Sequence, residues 1–421
     1  MVRFRKILFT AIIYSSAFRQ GAVAQTTVNG KKDLEYFITR ATASSLLIKD
    51  FSNQVLINKI DSMRIRSGYG PKITASSTGL YAPRIHGYGF DEVMTNGQSL
   101  DALLNVNYAL TGKDMKANQT RSLALQRDSL NYAIGMSRLD LQKAITEQYL
   151  QAYDSQQQVE FNRDVFGLLK NEEVLLKKLT RSNVYKQTEY LTFLVTFRQQ
   201  QLQYKQAEVQ LKTDLANLNY LAGIKDTTAA ILVEPKLKQE GAVRSGNSFF
   251  FKRFEIDSLK AVIDRKAVDL SYRPKAGIYI NGGYNSSLVL QPYKNFGASI
   301  GFTVSVPIYD GHQRKMQQDK INLQARTSAD YRSFFQSQQA LQIDMLYQQI
   351  EATKALFGQI DEQIRLTRGL IDVDSKLLRT GDIRVADFVI AINNYMVAQN
   401  LRRQTNINRL KLISQLSYWN H

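Results

Sequence analysis

Residues 297–314 read GASIGFTVSVPIYDGHQR, and this stretch decides the fold. Ala298, Ile300, Phe302, Val304, Val306 and Ile308 alternate with Gly297, Ser299, Gly301, Thr303 and Ser305. A period of two with one apolar and one small, polar face is the pattern of a strand in a sheet exposed on both sides. Pro307 ends the ladder and Tyr309-Asp310-Gly311 makes a turn. From His312 to Thr380 the chain runs without proline in a Gln, Lys, Arg, Leu and Ala composition, which predicts one helix ~100 Å long. No globular core needs a rod of that length.

The composition permits such rods. In 421 residues there are 6 prolines, one tryptophan and no cysteine. The absence of cysteine excludes a disulfide framework, a thiol nucleophile and a thiolate metal site. The net charge of +18 reads as lysines and arginines spread over solvated helix faces, because no element carries a basic cluster interleaved with aromatics. A nucleic-acid partner is therefore not expected.

Outward from the opening stretch, the other elements fall into a series. Residues 1–24 have a basic start (Arg3, Arg5, Lys6), a short apolar run and an Ala22-Val23-Ala24 cleavage pattern, the marks of a secretory signal peptide. Helical spacing runs from Lys32 to about Ser67, and strands are expected over 71–82 and 100–110 with a Gly, Tyr, Asp and Asn-rich loop between them. A long helix then leads to Arg181-Ser182-Asn183, where the chain reverses. The return helix, from about Thr188 to Ala222, carries two apolar rows. Leu191, Val195, Leu202 and Val209 form one, and Leu194, Phe197, Tyr204, Leu211, Leu215 and Leu218 the other. Two rows require two partners, as for a helix packed sideways in a ring.

The plan then repeats. The halves are residues 25–222 and 253–421, with 223–252 as a linking, equatorial segment in which Ile231-Leu232-Val233 is a candidate short strand. Helix 253–271 matches the first helix, Pro274 heads a strand as Pro71 does, and Asn105 to Gly112 aligns with Thr303 to Gly311 after one insertion. At the second reversal, Arg379-Thr380-Gly381 matches Arg181-Ser182-Asn183, and Asn and Gly both suit a left-handed backbone. Six residues beyond stand Glu189 and Asp387.

Helix, strand, strand, long helix, tip and return helix, twice over behind a signal peptide, resemble the outer membrane factors of the TolC family. The most family-like words are Ser305 to Arg314 at the strand-to-helix junction and Gly381 to Ala391, with Asp387, at the tip. The tip departs from the Val-Gly-Leu wording of some members. The resemblance implies a mainly α chain with a membrane β-barrel portion: coiled-coil hairpins plus four strands, three chains closing one barrel and one α-helical tunnel into the periplasm. It also implies an outer membrane location and passive conduction, in efflux or type I secretion, with a periplasmic adaptor and an inner membrane pump as partners.

Under that resemblance, Ser182, Asn183, Val184, Thr380, Gly381 and Asp382 are the expected adaptor contacts. Glu189 and Asp387 are candidates for a cation-sensitive gate, or residues favoured by the positive end of a helix. Tyr88, Phe90, Tyr293 and Phe296 are candidates for an aromatic girdle at the membrane boundary. Enzymatic chemistry is not expected and no cofactor or metal is implied: His86, His312 and His421 are scattered, the Gly-rich runs open no helix, and Glu172-Glu173 and Asp372/Asp374 read as solvated helix positions. The alternatives are a duct for one cargo, a metal ion or a secreted protein, and a coiled-coil scaffold without a pore. Met94, Met115, Met136, Met316, Met345 and Met396 are too dispersed to line a soft-metal path.

Overall fold

The computed structural model describes residues 30–225, 230–239, 248–289 and 291–421. The expected signal segment lies outside them. The order begins with β1 (Lys31–Lys32), α1 (Leu34–Ser44), α2 (Leu46–Gly68), β2 (Lys72–Tyr81), α3 (Glu92–Thr95), β3 (Gln98–Ala109), α4 (Lys113–Arg181) and α5 (Gln187–Leu221). It continues with β4 (Ile231–Leu232), α6 (Lys252–Ser271), β5 (Lys275–Ser286), β6 (Phe296–Ser305), α7 (Gln313–Thr380) and α8 (Val385–Trp419), with short 3-10 turns before α6 and β6.

β2, β3, β5 and β6 form one antiparallel sheet in that order, with β2 and β6 at its edges. Its central pairing joins distant parts of the chain, Leu100 opposite Ser286 through Ala109 opposite Gly277. The second sheet is a two-residue parallel pairing of β1 with β4. It is held by Tyr149, whose hydroxyl donates to the Lys32 and Val233 carbonyls at 3.2 and 2.5 Å, and by Gln156, which exchanges two hydrogen bonds with the Leu232 backbone. The pairing brings the linking segment against the waist of α4.

The long elements are α4 with 69 residues and α7 with 68, each ~100 Å. Each doubles back on a 35-residue return helix, α5 and α8. A polypeptide in this form cannot gather a single core. Its buried residues fall into separate clusters, one at the waist around Phe37, Tyr149, Leu218 and Leu410, and one near the tips around Leu169, Leu176, Phe193, Leu378 and Phe388. The accessible surface is 29283 Å², against roughly 16,000 Å² for a compact monomer of the same 48.0 kDa mass.

Three expectations need correction. The first helix is two helices, because Ser45 leaves the helical backbone (φ −59, ψ 114) and its Oγ accepts from the Ile48 amide at 3.4 Å as the cap of α2. β6 stops at Ser305, although the alternation runs to Ile308. Val306 to Ile308 has no strand beside it, since β5 begins opposite Ser305. Third, the loop 83–99 contains the one-turn α3, and Asp91 caps it by accepting from the Val93 amide at 3.0 Å.

The Tyr-Asp-Gly-His junction also acquires a reason. The carboxylate of Asp310 accepts from the His312 and Arg314 amides at 2.9 and 2.8 Å, so it closes the turn and satisfies a free amide at the start of α7. These hydrogen bonds, that of Arg314 foremost, hold its pKa below the usual carboxylate value.

Candidate functional site

The sheet is the first half of the candidate site. Antiparallel partners point to the same face, so the register assigns both faces. One face carries Ile73, Leu100, Leu104, Val106, Tyr108, Ile278, Ile280, Ile300, Phe302 and Val304, and none of its residues on any strand is charged. The other carries Thr74, Ser76, Thr78, Asn105, Asn107, Asn281, Ser299 and Thr303. Among the described residues no helix covers either face, and Ile300 and Phe302 are 75% and 80% exposed. On the polar face Gly301 leaves the space into which the Tyr279 ring lies; a Cβ there would fall 2.2 Å from Tyr279 Cζ. Tyr88, Phe90, Tyr293 and Phe296 are all exposed at the loop end of the sheet.

Both edges of this sheet are open. β2 and β6 have ten residues each, so each presents an unpaired row of backbone groups of the same length. Twelve residues in β3 and β5 extend ~40 Å, enough to cross a ~30 Å hydrocarbon layer at the tilt that barrel strands adopt. Among the described residues, no helix is long and apolar enough to cross a membrane.

Along the helices, the two rows of α5 separate as their spacing requires. Phe197, Leu215 and Leu218 are buried within the chain, whereas Leu191, Val195, Leu202 and Val209 are exposed. α7 leaves a comparable row, including Leu323, Phe334, Leu341, Leu356, Leu366 and Val373. Apolar rows of this length, alongside open sheet edges, are unfinished surfaces.

The second half of the site is the tip, where both hairpins turn at one end. Each turn is built alike. Asn183 and Gly381 take a left-handed backbone (φ 58 and 85), and the amides of Val184 and Asp382 reach back 3.0 Å to the carbonyls of Leu179 and Leu377. The turns touch each other: a Cβ on Gly381 would sit 2.8 Å from Val184 Cγ1. Between them lies Tyr185, 6% exposed, whose single hydroxyl hydrogen is shared between the carbonyls of Leu378 and Ile383 at 3.1 and 3.0 Å. Burial first, then the charges of Glu189 and Asp382, raise its pKa, so it remains a donor at neutral pH. Ser182, Asn183, Val184, Thr380 and Asp382 are exposed around this joint, and Gly381 is half-buried in it.

Glu189 and Asp387 stand at equivalent places in the first turns of α5 and α8. Glu189 accepts from the Lys186 amide at 3.1 Å, so its carboxylate caps the start of α5. Asp387 accepts two hydrogen bonds from Arg384 at 2.9 and 3.0 Å. Behind them are two buried carboxylates where the sequence suggested solvated ones. Glu172 and Asp374 are each 6% exposed, because the two hairpins pack together here around the tip cluster. The Ser375 hydroxyl donates to Glu172 Oε1 at 2.9 Å. Burial chiefly, and then the charge of Asp387, raise the pKa of Asp374. Glu173, by contrast, is reached by the Tyr190 hydroxyl at 2.7 Å. Among the described residues no group of three or more His, Cys, Asp or Glu could hold a metal ion.

No family model and no curated protein matches the sequence. Solved structures match through shape. VceC, an outer membrane protein of Vibrio cholerae, superposes with a TM-score of 0.73 at 12% identity, over 92% of this chain and 96% of that one. The CmeC outer membrane channel of Campylobacter jejuni does so with 0.73 at 12% identity, over 92% of this chain and 85% of that one. The fold is that of outer membrane channels. The MtrE outer membrane channel of Neisseria gonorrhoeae, in its open state, gives 0.73 at 12% identity over 92% of this chain and 88% of that one. With so little identity, these likenesses concern the path of the chain and none of the tip side chains. Tyr185 and the burial of Glu172 and Asp374 were not foreseen. Tyr185 could have been, as the one aromatic in the turn 182–186.

Proposed function

We propose that three copies of this chain close their open sheet edges into one outer membrane barrel and their helices into one tunnel, forming a channel that passively conducts solutes from the periplasm outward. The observation that carries this reading is the uncharged, uncovered apolar sheet face backed by a polar one, between edges of equal length. Lipid satisfies the first face, water the second, and only further strands satisfy the edges. The exposed rows on α5 and α7 supply the matching seam between neighbouring copies.

The doubled plan, residues 25–222 and 253–421, then gives each copy two equivalent hairpins around the tunnel. The tip residues Ser182, Asn183, Val184, Thr380, Gly381 and Asp382 form the periplasmic end, where an adaptor fed by an inner membrane pump would dock. Efflux and type I secretion both fit such an arrangement. Glu189 and Asp387, at the first turns of the return helices, are the proposed gate residues, with Arg384 the cation that Asp387 must release to bind a passing one. Purified protein in mild detergent is expected to migrate as a heat-resistant trimer and to give discrete conductance steps in a planar bilayer. A water-soluble monomer without conductance would refute the reading and favour a scaffold.

A further inference from the structure

The charges on the polar face of the sheet are few and unevenly placed. Lys72 opens β2 and Lys275 opens β5, each directly after a proline that follows a helix, Pro71 and Pro274. Their register partners are Asn107 and Ser305, which puts both lysines on the polar face at the end of the sheet nearest the helices. Both are exposed, and neither has an ion-pair partner among the described residues. The one carboxylate on that face is Asp101, toward the opposite, loop end of β3.

The acidic residues around the junction do not neutralise these lysines. Asp114 is held by Arg273 at 2.6 Å and Asp269 by Arg314 at 2.8 Å. Asp310 is occupied by two backbone amides. Each carboxylate is therefore spent on a local partner, while the two lysines face open water. In the channel reading, on which this inference rests, the polar face lines the bore. A collar of unpaired positive charge then surrounds the passage where barrel meets tunnel, with a sparser negative collar at the outer mouth.

We propose that Lys72 and Lys275 make the bore selective for anions, so that the solutes it favours are negatively charged. Fixed charges of one sign on the wall of a water-filled pore raise the local concentration of the opposite ion within about a screening length, ~30 Å at 0.01 M salt and ~3 Å at 1 M. At low salt the collar reaches across the lumen, and at high salt it does not.

The test is the reversal potential of the purified full-length protein in planar bilayers under a KCl gradient, with the dilute side near ~0.01 M. The wild type is expected to pass chloride in preference to potassium, with the preference fading as both sides approach ~1 M. Lys72→Gln combined with Lys275→Gln leaves Asp101 as the charged side chain of that face, so the preference should move to potassium and the reversal potential change sign. Asp101→Asn alone should strengthen the chloride preference. Equal oligomer yield on a gel establishes that the variants assemble. If wild type and double variant conduct with the same reversal potential, this inference is wrong and the channel reading stands. If the wild type forms no channel, both fall.

Discussion

Replacing Tyr185 with Phe removes one oxygen from the contact between the two tips and leaves the ring in place. The hydroxyl serves the carbonyls of Leu378 and Ile383, and that of Leu378 lies in the last turn of α7, where intrahelical partners have run out. The site is 6% exposed, so water cannot readily take over. Leaving a buried acceptor without its donor costs about 1 to 3 kcal/mol. Expressed as local opening, this is a roughly five- to 150-fold rise in the population of separated tips. Hydrogen exchange followed by mass spectrometry reads it at the amides of Val184 and Asp382, which close the two turns. Those amides should exchange faster in Tyr185→Phe, while peptides from the sheet and from the waist around Tyr149 remain unchanged. Identical exchange at the tip in both proteins would mean that the phenol does not hold the turns together.

Other perturbations address the lipid face, the turn and the buried carboxylate. Phe302→Arg places a charge on the uncharged sheet face and should cost roughly 2 to 4 kcal/mol per chain near the middle of the bilayer, seen as a fall in assembled oligomer extracted from membranes; normal yield would reverse the assignment of faces. Gly381→Val combines a left-handed backbone with a close approach to Val184, so the tip should lose protection from exchange while the barrel still inserts, and an intact tip would place the turn elsewhere. For Asp374 the sign follows from its raised pKa: the folded tip holds the proton more tightly than the unfolded chain, and that stabilisation is present below the ordinary carboxylate pKa and lost as pH rises through the folded value. Asp374→Asn should therefore make the tip more resistant to exchange at neutral pH, with the advantage disappearing in acid; an advantage that persists at low pH would exclude titration as its cause.

The sheet was legible because its signal is local. Ile300, Phe302 and Val304 alternate with Ser299, Gly301 and Thr303, and nothing packs on either face to blur that pattern. The two rows on α5 were legible for the same reason, each tracing one flank of a straight helix. Turns were readable where backbone chirality demands Asn or Gly, as at 183 and 381. The break at Ser45 was not, since a serine within a helical pattern is tolerated as often as it caps. Burial of Glu172 and Asp374 was hidden because it depends on how the two hairpins pack together, near the far ends of helices that are distant in sequence. Tyr185 belongs to this class, its partners lying nearly two hundred residues away along the chain. The parallel pairing of β1 with β4 was likewise beyond reach, as two residues are too few to carry a period.

The account depends most on edge strands of different copies pairing to close the wall. Because the chain has no cysteine, introduced thiols report without background. Ser76→Cys on β2 can be combined in turn with Gly297→Cys, Ser299→Cys or Thr303→Cys on β6, all on the polar face. After oxidation in membranes, one of these combinations is expected to give covalent dimers and trimers that the single-cysteine proteins do not. Monomers alone, in every combination, would contradict it.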